Sequence, residues 1–177
     1  MEEGTPAAVT IRSPVERRWM VLHTRARQEK AVARHLDAAG VKHDLPLVER
    51  VTMTRGRKHR SEVPLFSNYV FVYGEKQDAY DAISTRRVVR YLEVEDQAKL
   101  ERELQAIHTA IRSGLPIDEH PGLAIGQRAR VVKGPLAGVE GFVIDEARRS
   151  CLILHVETLG RGASVEIERD LLEPIED

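Results

Sequence analysis

The apolar positions in the first two thirds of the chain switch between strand spacing and helix spacing. After a first compact apolar run, Val32, Leu36 and Ala39 lie at the spacing of one helix face. The predicted elements are strands at 18–23, 47–54, 66–73 and 88–94 and helices at 25–39, 77–84 and 97–111. Their β-α-β-β-α-β-α order predicts an α+β fold, an α/β sandwich in which an antiparallel sheet is flanked by helices.

Periodicity stops at residues 113–122, where two prolines and two glycines fall within ten residues and predict a linker. Beyond the linker come five short β-favouring runs, at 129–133, 139–144, 152–156, 164–167 and 171–175. So few short strands avoid exposed edges by closing on themselves, which predicts a small all-β barrel. The expected organisation is a disordered tail at 1–16, an α/β domain at 17–112, the linker at 113–122 and the barrel at 123–177.

The formal net charge of −1 hides an asymmetry between the two halves of the chain. Residues 17–91 contain 16 Lys/Arg and 8 Asp/Glu, a balance of +8, whereas residues 92–177 contain 10 and 17, a balance of −7. A positive first half attracts a phosphate backbone or an acidic protein surface, and an acidic second half repels nucleic acid. We therefore expect the second domain to bind a protein.

The sequence contains no recognisable catalytic or metal-binding pattern. Its seven histidines are scattered, and its single cysteine, Cys151, lies in an apolar run typical of a buried structural thiol. No apolar run approaches the roughly 18 residues that a membrane span needs. These observations predict a cytoplasmic monomer that is not an enzyme, uses no cofactor and no metal, and does not attach to a membrane.

Glycines punctuate residues 130–143 (RVVKGPLAGVEGFV) at positions that suit a tight turn, a chain reversal and a close approach between strands. The segment resembles the KOW motif, an SH3-like barrel element of NusG-type transcription factors and several ribosomal proteins. Residues 158–167 (TLGRGASVEI) resemble the turn and strand that follow it in NusG. The matching motif positions are Lys133, Gly134, Pro135, Gly138 and Gly141.

Two blocks in the first domain carry a second resemblance. Residues 18–22 (RWMVL) resemble the start of the NusG N-terminal domain, and residues 62–72 (EVPLFSNYVFV) are similar to a block of its specialised, RfaH-like branch. The resemblance extends from residue 17 to the C-terminus. It implies a transcription elongation or antitermination factor that binds the clamp helices of the largest subunit of bacterial RNA polymerase and suppresses pausing or termination. The KOW domain would then recruit a ribosomal protein or a termination factor.

The same resemblance assigns roles to individual residues of the first domain. Polymerase binding falls to Trp19, Phe66, Tyr69 and Phe71. Contact with non-template DNA falls to Arg25, His35, Thr85, Arg86 and Arg87. An arginine fork binds phosphate and stacks on unpaired bases, which suits the second role. An alternative stays open for Tyr69 and Phe71, which lie two residues apart in the predicted strand. Their side chains therefore point to the same face, and that face could be the one that packs in the core.

Three further alternatives stay open on the sequence alone. The basic hairpin tip at 55–60 either contacts nucleic acid or polymerase, or its charges only keep an exposed loop soluble. Within the family, the choice lies between a general elongation factor and an operon-specific antiterminator. From another class comes an RNA- or ribosome-binding KOW module. A barrel that binds RNA should be basic, whereas residues 123–177 contain more acidic than basic side chains.

Overall fold

The computed structural model describes residues 15–146 and 149–176, and these form three α-helices and three antiparallel sheets. The helices are α1 (Glu29–Ala38), α2 (Lys76–Ser84) and α3 (Gln97–Arg112). The strands of the first half are β1 (Arg18–Thr24), β2 (Lys42–Asp44), β3 (Leu47–Thr54), β4 (Arg57–Pro64), β5 (Tyr69–Gly74) and β6 (Val88–Glu93). Those of the second half are β7 (Ile117–His120), β8 (Gln127–Val131), β9 (Glu140–Glu146), β10 (Arg149–Val156), β11 (Arg161–Glu166) and β12 (Leu172–Pro174).

The N-terminal sheet has the strand order β2-β5-β1-β6, and helices cover both of its faces. Side chains alternate along β1, so Met20 and Leu22 pack in one buried cluster with residues of α1 and α2. Trp19 and Val21 point to the other face, where they share a cluster with apolar residues of α3. The predicted α/β sandwich is therefore present, with mixed α/β architecture and antiparallel strand pairs.

Strands β3 and β4 form a two-stranded sheet of their own, which we call the ribbon (residues 47–64). Its tip is a two-residue turn in which Arg55 and Gly56 both have positive φ, 49° and 75°, the geometry of a type I′ hairpin. The sequence predicted β3 and the tip but not the separate returning strand β4. That strand pairs through its backbone while its side chains are polar, so no apolar alternation reveals it.

The C-terminal sheet has the order β12-β8-β9-β10-β11-β7, with every pair antiparallel. Strands β8–β12 correspond to the five predicted runs. Strand β7 lies inside the predicted linker, where Pro116 and Pro121 flank its four residues without interrupting their pairing with β11. Closure into an SH3-like barrel and the exact domain boundaries stay predictions. Most of the predicted tail, residues 1–14, lies outside the described residues.

Helix α3 lies between the two large sheets. Leu100, Leu104 and Ile107 are almost fully buried, and they share one apolar cluster with Val21 of β1 and Leu154 of β10. Contacts between the halves of the chain are therefore not confined to their surfaces. Their apolar cores are continuous through α3.

Replacing Gly141 by Ala should destabilise the C-terminal sheet, because a Cβ there would come within 2.7 Å of the Ile153 carbonyl oxygen on the neighbouring strand. We expect a loss of about 1–3 kcal/mol in the free energy of unfolding, typical of overpacking. Chemical denaturation measures it.

The matched control is Gly134→Asn, in a turn where φ is 84° and no atom lies within 4 Å of the added Cβ. Asn tolerates the left-handed region better than other residues with a side chain, so this variant should lose less stability than Gly141→Ala, which adds a steric overlap. Equal stability of Gly141→Ala and wild type would contradict the close approach of β9 and β10.

Candidate functional site

The structure buries three of the four aromatic side chains that the sequence assigned to a polymerase interface. Trp19, Phe66 and Phe71 are 6%, 1% and 0% exposed, respectively. Phe66 lies in the turn before β5 rather than in the strand, and its ring meets that of Phe71 edge-on at 6.4 Å. All three belong to the cluster that α3 covers. In this arrangement they fill the core, as the strand-parity alternative anticipated for Phe71, and only Tyr69 of the four is partly exposed.

Tyr69 begins β5 and lies where the two large sheets meet. Its ring stacks on that of His23, its register partner on β1, with 5.2 Å between the ring centroids. From the C-terminal sheet, the guanidinium carbon of Arg161 lies 5.1 Å from the centroid of the Tyr69 ring, within cation–π range. Arg161 is held there by Glu119, whose carboxylate oxygen is 2.6 Å from its Nη1. Tyr69 is thus an aromatic side chain shared by both halves of the chain.

A buried carboxylate holds the turn that presents Tyr69, and no pattern in the sequence predicted its burial. Glu29 is only 6% exposed, and its Oε1 accepts the backbone N–H of Asn68 at 2.7 Å. The carbonyl oxygen of Asn68 accepts the backbone N–H of Thr24, also buried, at 2.8 Å. Asn68 has φ of 71°, a left-handed conformation that Asn tolerates better than most residues. The Asn before the strand was the one available signal of a fixed turn.

Two basic loops meet at the Tyr69 end of the N-terminal sheet. The backbone N–H of Arg25, after β1, donates to the carbonyl oxygen of Arg87, before β6, at 2.8 Å. Arg86 lies beside them, and all three arginines are exposed. Thr85 turns its hydroxyl inward and donates to the Ala82 carbonyl oxygen at 2.6 Å. The structure therefore brings together most of the residues assigned to DNA.

His35, the remaining residue assigned to DNA, is separated from this group. It lies in the last turn of α1, whereas Arg25 precedes the first turn of the same helix. A helix of ten residues is about 15 Å long, so the two positions sit at opposite ends of α1. His35 is also half-buried. Its side chain does not join the arginine cluster formed by Arg25, Arg86 and Arg87.

Four of the five KOW-like positions occupy the loop between β8 and β9, and Gly141 lies in β9. Gly134 and Gly138 have φ of 84° and 89°, and the N–H of Gly138 donates to the Val131 carbonyl oxygen at 2.8 Å. Lys133 and Pro135 are exposed on this loop. The geometry agrees with the predicted turn and chain reversal. Whether these residues bind a partner stays a prediction.

Polar contacts reinforce the apolar junction between α3 and the C-terminal sheet. Lys99 forms an ion pair with Glu157, whose backbone N–H donates to Glu103 Oε1 at 3.2 Å. Burial raises the pKa of Glu103 to about 7, and the nearby charge of Lys99 opposes that rise while Asp96 adds to it. An ionised Glu103 is therefore disfavoured where the two halves of the chain meet.

Among the described residues, no group of three or more His, Cys, Asp or Glu side chains is placed to hold a metal ion. Within the same ranges, no helix has the length and apolar character to cross a membrane.

Comparison with protein families gives one result that bears on these features. Residues 17–108 match the model of the family described as transcription termination factor NusG. The chain belongs to the NusG family. The matched range contains the N-terminal sheet, all three helices except the end of α3, and the whole ribbon. A comparison with curated protein sequences gives no match to the chain.

Membership in the NusG family places the chain among transcription termination and elongation factors, whose members generally bind RNA polymerase. The family consists of transcription factors and is not known for enzymes. The match ends at residue 108, so the identity of the C-terminal sheet as a KOW domain stays a prediction.

The pKa of Glu103 predicts a pH dependence of stability. Its carboxyl group holds a proton more tightly in the folded chain than at its ordinary pKa of 4.5. Its contribution is therefore complete below pH 4.5 and is lost as pH rises through about 7. Wild type should lose thermal stability across this window, and Glu103→Gln should lose less because its amide does not ionise.

Thermal unfolding of both proteins on either side of the window tests this expectation. His108, whose pKa is raised by its hydrogen bond to Asp44, is present in both proteins, so their difference isolates Glu103. Gln also retains an oxygen that accepts the N–H of Glu157. A Tm that changes identically with pH in both proteins would contradict the assignment.

Proposed function

We propose that this NusG-family chain is a transcription elongation and antitermination factor of the specialised, RfaH-like branch. Its N-terminal part binds the clamp helices of the largest subunit of bacterial RNA polymerase and suppresses pausing or termination. Its C-terminal sheet acts as an SH3-like KOW domain that recruits a ribosomal protein or a termination factor. The family match over residues 17–108 carries the proposal, and the PLFSNY segment within that range favours the specialised branch.

Tyr69 is the residue on which we centre the polymerase contact. It is the one partly exposed member of the four aromatic residues assigned to that role, and the Glu29–Asn68 hydrogen bond fixes the turn before it. A partly exposed tyrosine on a rigid strand offers a large contact area at low entropic cost, which is why tyrosine is frequent at interface hot spots. Trp19, Phe66 and Phe71 would support the surface from the core beneath it.

The arginine cluster beside Tyr69 supports the proposed contact with exposed non-template DNA. Arg25, Arg86 and Arg87 place three guanidinium groups on two loops joined by a backbone hydrogen bond. Guanidinium groups bind phosphate with two parallel hydrogen bonds and stack on unpaired bases. The position of this cluster allows one molecule to contact polymerase and single-stranded DNA at neighbouring surfaces.

Polymerase binding at Tyr69 requires the C-terminal sheet to move. Arg161 lies over the Tyr69 ring, and the Lys99–Glu157 ion pair joins the same two parts of the chain. A protein surface that takes up the face of Tyr69 must displace Arg161. The separation also frees the C-terminal sheet to bind its own partner. Because the sheet stays tethered to the polymerase-bound part of the chain, the local concentration of that partner at the polymerase rises.

The proposed factor changes transcription without making or breaking a covalent bond. A protein that binds the elongating state of polymerase more tightly than the paused state shifts the population toward elongation by that difference in affinity. Contacts on both the clamp and the DNA provide such a difference if they are satisfied together only in the elongating state. The shift toward elongation can then be no larger than the binding free energy of the contacts that the factor makes in the elongating state and not in the paused state.

The test is binding of the full chain to bacterial RNA polymerase, compared between wild type and Tyr69→Ala. Loss of a central aromatic anchor should weaken binding by about tenfold or more, equivalent to about 1.4 kcal/mol. Pause duration on a transcription template should lengthen in parallel toward the value without factor.

The control is Tyr80→Ala, which removes a tyrosine that is 53% exposed on α2. It should bind polymerase as wild type does. Competition by an isolated clamp-helix fragment locates the contact on the clamp. If wild type binds ribosomes or RNA but not polymerase, the elongation-factor proposal is wrong and the RNA- or ribosome-binding alternative takes its place.

A further inference from the structure

The ribbon is a basic two-stranded arm whose strands pair with neither of the two large sheets. Five Lys/Arg and no Asp/Glu lie between residues 50 and 61, although the whole chain has nearly equal numbers, 27 and 28. Every residue from 51 to 62 is exposed. Packing in a hydrophobic core does not explain this segment, because its side chains are exposed to solvent.

The cations at the end of the ribbon are unpaired within the described part of the chain. No hydrogen bond or ion pair there involves the side chains of Arg55, Arg57 or Lys58, and Arg60 meets Glu49 only at 3.6 Å between exposed groups. An exposed pair at such a distance contributes little to stability. These positive charges are therefore available to an outside partner.

The charges point in more than one direction, and this indicates the shape of the partner. Arg57 pairs with Thr54 on one face of the ribbon, while Lys58 pairs with Met53 on the opposite face. Arg55 occupies the turn at the tip. A flat acidic protein surface would meet only one face. A DNA groove instead has phosphates along both of its walls.

The dimensions of the ribbon fit the same partner. Two paired strands lie about 4.8 Å apart, and the major groove of B-DNA, about 12 Å wide, admits a two-stranded ribbon. The side chains near the tip add groups suited to a groove. Thr52, Thr54 and His59 bring polar atoms, and exposed Met53 brings an apolar surface.

The base of the ribbon is fixed to the body of the protein. Val48 is buried in the α3 cluster with Val63 packed beside it, and Lys30 Nζ donates to the Glu62 carbonyl oxygen at 2.5 Å. Arg50 forms an ion pair with Asp118 at 2.8 Å. An isolated hairpin is marginally stable in water, so these anchors lower the entropy lost when the arm binds.

We propose that the ribbon binds double-stranded DNA in its major groove, using Arg55, Arg57 and Lys58 to contact the phosphate backbone without base specificity. This surface is separate from the arginine cluster formed by Arg25, Arg86 and Arg87, which we assigned to single-stranded DNA. The inference goes beyond the proposed function and does not depend on polymerase binding, since the free protein is offered the duplex directly.

The experiment measures binding of the full chain to a short fluorescent DNA duplex by anisotropy over a range of salt concentrations. The ribbon variant combines Arg55→Asn, Arg57→Gln and Lys58→Gln. Asn-Gly is the preferred type I′ turn, so the hairpin is retained while its charge is removed. We expect affinity to fall about tenfold or more at low salt. The slope of log K against log salt should decrease by about 0.9 for each lost phosphate contact.

The matched control removes three cations elsewhere, by Arg17→Gln, Arg102→Gln and Arg112→Gln, all at exposed positions outside the ribbon. The net charge change is equal, so long-range electrostatics alone would weaken both variants alike. Duplex binding close to wild type by the control, with loss in the ribbon variant, supports the proposal. Equal binding by the two variants overturns it.

Two further nucleic acids distinguish the groove from a general attraction to phosphate. An RNA duplex has a deep, narrow major groove that side chains cannot read, so the ribbon substitutions should affect its binding less. A single DNA strand offers no groove and should also be less affected. An equal loss on all three nucleic acids overturns the groove assignment. Unchanged Tm values for both variants show that the comparison is between folded proteins.

Discussion

Helix α3 is buried from two sides, and the arrangement of both halves of the chain depends on that burial. Its apolar stripe shares one cluster with Val21 of the N-terminal sheet and Leu154 of the C-terminal sheet. The amide of Gln97 fixes the beginning of the helix, accepting the N–H of Trp19 at 2.6 Å and donating to its carbonyl oxygen at 3.0 Å. A helix held in this way decides which surface of the N-terminal sheet is left for a partner.

For the proposed function, the consequence is that the partner surface lies at one end of the N-terminal sheet rather than across its face. Helices cover both faces, and so the aromatic side chains of Trp19 in β1 and Phe71 in β5 become part of the core. The end of the sheet retains Tyr69 with His23 and the two arginine loops. Partner binding at that end must therefore rely on a few side chains, whose positions the buried Glu29 and the turn at Asn68 fix.

Periodicity in the sequence was sufficient to place the elements that bury apolar side chains. Helix α3 was predicted at 97–111 and is found at Gln97–Arg112, because its stripe of Leu and Ile faces a core. The strands that place at most one apolar side chain in the core were missed, as with Ile117 of β7 and Val63 of β4. Strand β4 is polar, β2 has only three residues, and β7 lies between prolines, so none of them carries an apolar alternation.

The candidate site was less predictable than the fold, for a different reason. Strand parity shows that Phe71 and Tyr69 point to the same face, but it does not show where α3 ends its cover of that face. The burial of one and the partial exposure of the other follow from tertiary packing. Likewise, the hydrogen bond between Arg25 and Arg87 joins residues far apart in sequence because β1 and β6 are neighbours. Only the family resemblance pointed to both loops.

The distribution of charge connects these features. The ribbon and the arginine cluster carry cations on turns and exposed strands, where they do not weaken the core by desolvation. The C-terminal sheet lies in the acidic half of the chain, and its ion pairs satisfy several of its arginines internally, as with Arg130 and Glu140. Its electrostatic field therefore opposes nucleic acid. Under the proposed function, one chain would hold nucleic acid at its first half and keep the second half for a protein, because the two surfaces attract partners of different charge.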